Sequence, residues 1–114
     1  MSYIQKRGVN STIRKMTARQ QASDVFSYGY IITCKANGKE TQKLVEKLIT
    51  LSKKGTLADK RRIASAIIRT KKYEKDELLK KIYVDIAQRY RSRKGGCTRL
   101  VKTQDKDRVL LALV

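Results

Sequence analysis

The chain has 114 residues, with 28 Lys plus Arg against 10 Asp plus Glu and no His, a formal net charge of +18. Its 40% hydrophobic content suits one domain with a core of its own and argues against disorder. No apolar run approaches the ~20 residues needed to span a bilayer, and Met1 to Arg7 has no signal-peptide character, so a soluble intracellular protein that attracts polyanions is expected.

Residues 1–10 are basic and lack an apolar period, which reads as an extended N-terminal arm ahead of a single domain over residues 11–114. Ser11 or Thr12 is a natural N-cap for a first helix with a rough stripe of Ile13, Met16, Val25 and Phe26, ended by Gly29. Tyr30 to Cys34 is short, β-branched and aromatic, as strands are. From Lys39 a helical period places Leu44, Val45, Leu48, Ile49 and Leu51 on one face, and Gly55 stops it. Thr56 and Asp59 form a capping-box-like pair opening a third helix, whose expected core face is Leu57, Ala64, Ile67 and Ile68. After a polar link at residues 71–75, Asp76 caps a fourth helix with the stripe Leu79, Ile82, Tyr83, Ile86, Ala87 and Tyr90, broken at Gly95-Gly96. Two strands follow, Cys97 to Thr103 and Arg108 to Val114, joined by a polar turn. The order α-β-α-α-α-β-β predicts an α+β, two-layer domain: a small three-stranded mixed sheet with helices on one face.

The residue types present argue against catalysis. Without His there is no base tuned near neutral pH. Asp76 and Glu77 diverge at a helix start and serve the helix dipole better than a catalytic pair. Gly95-Gly96 follows a helix and precedes a strand, the reverse of a phosphate-binding loop. Cys34 and Cys97 belong to no Cys-x-x-Cys pair and read as small semi-buried apolar residues, so neither metal nor other cofactor is expected. The one enzyme class that survives is a small basic ribonuclease working through Arg89, Tyr90, Arg91 and Arg93.

Two acid-free basic clusters favour nucleic-acid binding instead. One is the arm and first helix, with Lys6, Arg7, Arg14, Lys15 and Arg19. The other runs from Arg89 through Arg91, Arg93, Lys94, Gly95, Gly96 and Arg99 to Lys102, where guanidinium forks match phosphate oxygens and glycines admit a sugar-phosphate chain. Arg61 and Arg62 add charge on the third helix. Tyr3, Tyr28, Tyr30 and Tyr73 offer rings for base stacking but better suit packed or half-buried positions. A free architectural nucleic-acid-binding protein fits these clusters as well as a component of a larger particle does.

Leu44 to Gly55 (LVEKLITLSKKG) resembles the second-helix signature of the bacterial-type ribosomal large-subunit protein seventeen family, and Ser92 to Lys102 (SRKGGCTRLVK) its glycine-pair hairpin motif. Asn10-Ser11-Thr12 with Arg14 and Arg19, and Ile31, Thr33, Lys39 and Glu40, are similar to the family in order and spacing. Thr41 stands at a usually apolar position of that family, and Gly38 weakens the first turn of the second helix. The resemblance implies a two-layer α/β fold and a structural, non-catalytic role in the cytoplasmic ribosome. It implies large-subunit rRNA as partner, with neighbouring ribosomal proteins near the polypeptide exit region and neither a membrane nor a small-molecule substrate. By position it carries Arg14, Arg19, Arg93 and Arg99 over as rRNA contacts.

Overall fold

A computed structural model describes residues 11–114, so the arm with Lys6 and Arg7, and Tyr3 with it, lies outside the described residues. Helix α1 (Ser11–Tyr28) runs through Gly29 into strand β1 (Tyr30–Cys34), and α2 (Lys35–Lys54) follows with no loop between. Helix α3 (Leu57–Ala66) comes next, then α4 (Lys75–Lys81), which continues through a π turn (Ile82–Ile86) into the single turn α5 (Ala87–Arg89). The hairpin β2 (Thr98–Lys102) and β3 (Arg108–Leu113) closes the chain.

The sheet order is β1-β3-β2, and both ladders are antiparallel, not mixed as the sequence suggests. The helical crossover does leave β1 and β2 running in the same direction. However, β3 returns from the hairpin and inserts between them, so no parallel ladder forms. Inward pleat positions Ile31, Thr33, Leu100, Val109, Leu111 and Leu113 are buried or half-buried against the helices.

Helix α2 is the spine. It starts at Lys35, four residues before the expected Lys39, because Gly38 lies inside the helix where it crosses the sheet. A Cβ on Gly38 would sit 2.7 Å from Val109 Cγ2 and 3.2 Å from Leu100 Cδ2. The glycine is a close-contact residue more than a helix breaker. Val45, Leu48, Ile49 and Leu51 then enter the core, and Gly55 closes the helix at φ 69° with its N–H on Leu51 O. Thr41, fully buried, is explained by its bond to Gln21 Oε1 (2.7 Å), while Gln21 Nε2 donates to Thr33 Oγ1 (2.9 Å). This polar link joins α1, α2 and β1.

Two expected faces shift in phase, and one cap moves. On α1 the buried residues are Ala22, Val25 and Phe26, whereas Ile13 and Met16 are exposed. Ile13 lies nine residues before Ala22, roughly 180° away on the helical wheel, so the expected stripe was never continuous. On α3, Thr56 caps as expected: its Oγ1 accepts from Asp59 N (3.1 Å) and donates to Asp59 Oδ2 (2.7 Å). The core residues there are Ile63, Ala66 and Ile67, with Leu57 and Ile68 exposed. Leu57 precedes Ile63 by six residues and is out of phase, and the chain turns extended at Ile67, which ends the period. The fourth helix begins at Lys75 with Glu74 as N-cap, leaving Asp76 and Glu77 in the first turn, where they favour the dipole.

The π turn accounts for the fourth helix's stripe. Leu78, Ile82, Ile86 and Tyr90 recur every four residues, a spacing that drifts roughly 40° per step on a 3.6-residue helix. Bonding of Ala87 N to Ile82 O widens the turn and removes that drift, so all four stay buried.

Candidate nucleic-acid interface

The interface begins with what the acids do. Among the described residues there is a single ion pair, Arg69 to Glu74 at 4.0 Å, and both side chains are highly exposed. Three further carboxylates accept hydrogen bonds within the fold: Asp59 in the α3 cap, Asp24 from Gln20, and Glu46 from Thr98 and Cys97. The excess of positive charge is therefore not neutralised within the fold.

Helices α1, α2 and α3 form a cleft of about 490 Å³ that gathers this charge. Its rim carries Arg14, Lys15 and Arg19 from α1, Lys43 and Lys47 from α2, and Arg62 from α3, against one carboxylate, Glu40. Lys15 with Arg19, and Lys43 with Lys47, are four residues apart and share a helix face. The floor is apolar, from Ala18, Leu44, Leu48, Leu51 and Ala66. Such a surface suits a sugar-phosphate backbone: cations at the rim take phosphates, while the floor accepts the less polar sugar and base edges.

The second cluster lies across α2, bonded to the helix side that carries Gln42, Glu46 and Lys53. Arg91, Arg93 and Lys94 are exposed on the turn after α5, which Gly95 (φ 135°) and Gly96 (φ 63°) lead into β2. Helix α2 holds this turn at three points. Glu46 Oε2 accepts from Thr98 N (2.9 Å) and Thr98 Oγ1 (2.6 Å), and Glu46 Oε1 from Cys97 N (3.4 Å). Gln42 Nε2 donates to Thr98 Oγ1 (3.1 Å), and Lys53 Nζ donates to Arg93 O. Tyr90 OH and Arg89 Nη2 both donate to Val114 O (2.9 and 2.8 Å), and Arg89 lies over the Tyr90 ring. Burial raises the Tyr90 phenol pKa, with Arg89 opposing, and also raises that of the Cys97 thiol, where the Glu46 charge adds to the effect.

The sequence-predicted residues thus divide. Arg14, Lys15, Arg19 and Arg62 meet at the cleft; Arg61 is exposed on α3 but does not line it. Arg91, Arg93 and Lys94 share the turn with the two glycines, while Arg89 is engaged by Val114. Arg99 points out from the far face of the sheet and Lys102 sits at its end. Of the tyrosines, Tyr73 and Tyr28 are both within cation–π range of Lys72, and Tyr30 faces outward on β1. Sequence reasoning missed Lys43 and Lys47 as site residues, although their four-residue spacing opposite the apolar stripe was a readable signal. It also missed Glu46, whose role depends on a contact 52 residues away.

Fold and site together define a small α+β domain that, among the described residues, carries nearly all its positive charge outside ion pairs, with concentrations in a helical cleft and on a clamped turn. Residues 17–113 match the family described as Ribosomal protein L17, and the chain belongs to that family, one of ribosomal proteins and not of enzymes. Relatives bearing the name large ribosomal subunit protein bL17 include that of Ureaplasma parvum serovar 3, 46% identical over 90% of this chain and 86% of its own. That of Malacoplasma penetrans is 43% identical over the same shares, and that of Streptococcus sanguinis 38% identical over 93% of this chain and 90% of its own.

Proposed function

We propose that the protein is a structural constituent of the large ribosomal subunit in the cytoplasm that binds and stabilises folded rRNA through Arg and Lys contacts to phosphates. The observation that carries this reading is the cleft, where six cations from three helices face one carboxylate. Family membership supplies the context, since the bL17 relatives are named as large-subunit proteins. The mechanism is counterion replacement. Each Arg or Lys that meets a phosphate releases a condensed cation, and rRNA segments that repel one another are held at fixed separation by a rigid mount. Arg91, Arg93 and Lys94 supply a second contact whose position Glu46 fixes. Specificity comes from RNA shape, with a spacing between cleft and turn that only a folded RNA matches. Neighbouring ribosomal proteins near the polypeptide exit region complete the surroundings.

The test is a titration of the protein with large-subunit rRNA across salt concentrations. Neutralising roughly eight phosphates gives a log–log slope of about −6 to −7. A triple variant, Arg14→Ala with Lys47→Ala and Arg62→Ala, removes three exposed charges without touching the core. It should flatten that slope by about 2 to 3. An unchanged slope would take the cleft out of the interface.

A further inference from the structure

The outer face of the sheet breaks the usual pattern of an antiparallel sheet packed on one side. Such a sheet ordinarily turns polar residues to water, yet here the outward positions are mostly apolar. Ile32, Leu110 and Val101 form one cross-strand row, and Tyr30, Ala112 and Arg99 the adjacent one. Tyr30 is 53% exposed, Ile32 54% and Val101 45%, so no described element covers them. In a chain with a third of its residues charged, the centre of this face has no charge at all. Its cations stand at the margins: Arg99 on the edge strand β2, and Arg108 at the start of β3 beside Cys34.

We propose that this face is a protein-docking surface, taking a polypeptide segment that lays aliphatic side chains on the Ile32–Leu110–Val101 row and sets carboxylates against Arg99 and Arg108. Charge selects this occupant. A second copy would bring another +18 and the same two arginines, so like charges would meet at the rim. RNA is disfavoured by charge density. The cleft surrounds its apolar floor with six cations, whereas this face has two at its margins and a single ring, Tyr30, beside an aliphatic row on which bases stack poorly. An apolar centre with a charged margin is the anatomy of a protein–protein interface.

The inference rests on the ribosomal reading for where the partner is found, so the test separates the two. A benzophenone amino acid is placed at Val101 in one strain and at Ser65, which lines the cleft, in another, and purified large subunits are irradiated. The expected result is a cross-link from position 101 to an identified ribosomal protein, in a segment with aliphatic residues and Asp or Glu nearby. Adding Ile32→Asp should lower its yield more than tenfold. A cross-link from 101 to rRNA, to another copy or to the chain's own first ten residues would overturn the proposal, as would none at all or a yield that Ile32→Asp leaves unchanged. Position 65 should cross-link to rRNA, and its failure would count against the proposed function alone.

Discussion

Replacing Glu46 with Ala tests whether α2 clamps the basic turn or merely lies beside it. The carboxylate accepts a good bond from Thr98 N and a short one from Thr98 Oγ1, with Cys97 N at the limit of bonding distance. Thr98 and Cys97 are both buried, so Ala leaves the Thr98 N–H with no acceptor and little water. A bond to a charged acceptor contributes about 1.5–3 kcal/mol. The Thr98 hydroxyl keeps Gln42 as a donor, and Glu46 is only half-buried, so the total loss should be about 2–3 kcal/mol. For a domain of this size that lowers Tm by roughly 8–15 °C, measured by circular dichroism on the full chain. Glu40→Ala raises the net charge equally but changes an exposed residue, and should move stability by under about 0.5 kcal/mol. A Glu46→Ala variant no less stable than Glu40→Ala would refute the clamp.

Gly38→Ala should destabilise despite adding helix propensity. The gain is about 1 kcal/mol, whereas a Cβ 2.7 Å from the buried Val109 side chain forces the helix off the sheet, at about 1–3 kcal/mol; a higher urea midpoint than the parent's would contradict this. Thr41→Val keeps the shape but leaves Gln21 Oε1 without its hydroxyl partner, and should cost about 1–2 kcal/mol in the same denaturation assay. Cys34, half-buried, should react with a thiol reagent in the native protein, while Cys97 should react only on unfolding. Because burial raises the Cys97 and Tyr90 pKa values, the unfolded chain releases these protons first as pH rises. Their contribution is therefore whole below the ordinary thiol value of 9.0 and declines as pH passes above it. Tm should fall as pH rises above the ordinary thiol value of 9.0, and fall less in Cys97→Ala.

Much of the fold was legible because its signals are local. Tyr30 to Cys34 is a strand with the bounds that its β-branched run predicts, and Gly55 and the Thr56–Asp59 pair punctuate α2 and α3 as their chemistry requires. Phase errors arose where a few apolar residues fitted several wheels, as with Ile13 and Leu57. Gly38 and Thr41 misled for the opposite reason: each is unfavourable locally and explained only by a distant partner, Val109 or Gln21. The same limit governs the site. Arg14, Arg19 and the Arg91–Arg93 run are visible as charge, but their division between two sides of α2 is set by packing. The position of Arg99 on the far face of the sheet follows from a register that no single strand encodes.

On the proposed reading, cleft cations anchor the protein to large-subunit rRNA, and sedimentation decides it. Lysates are taken from cells that express the chain or its Arg14→Ala, Lys47→Ala, Arg62→Ala variant and are run before and after a high-salt wash. The parent should travel with the large subunit and stay there through the wash, while the variant, folded by circular dichroism, should be released to the top of the gradient. Equal retention of both through high salt would contradict the account.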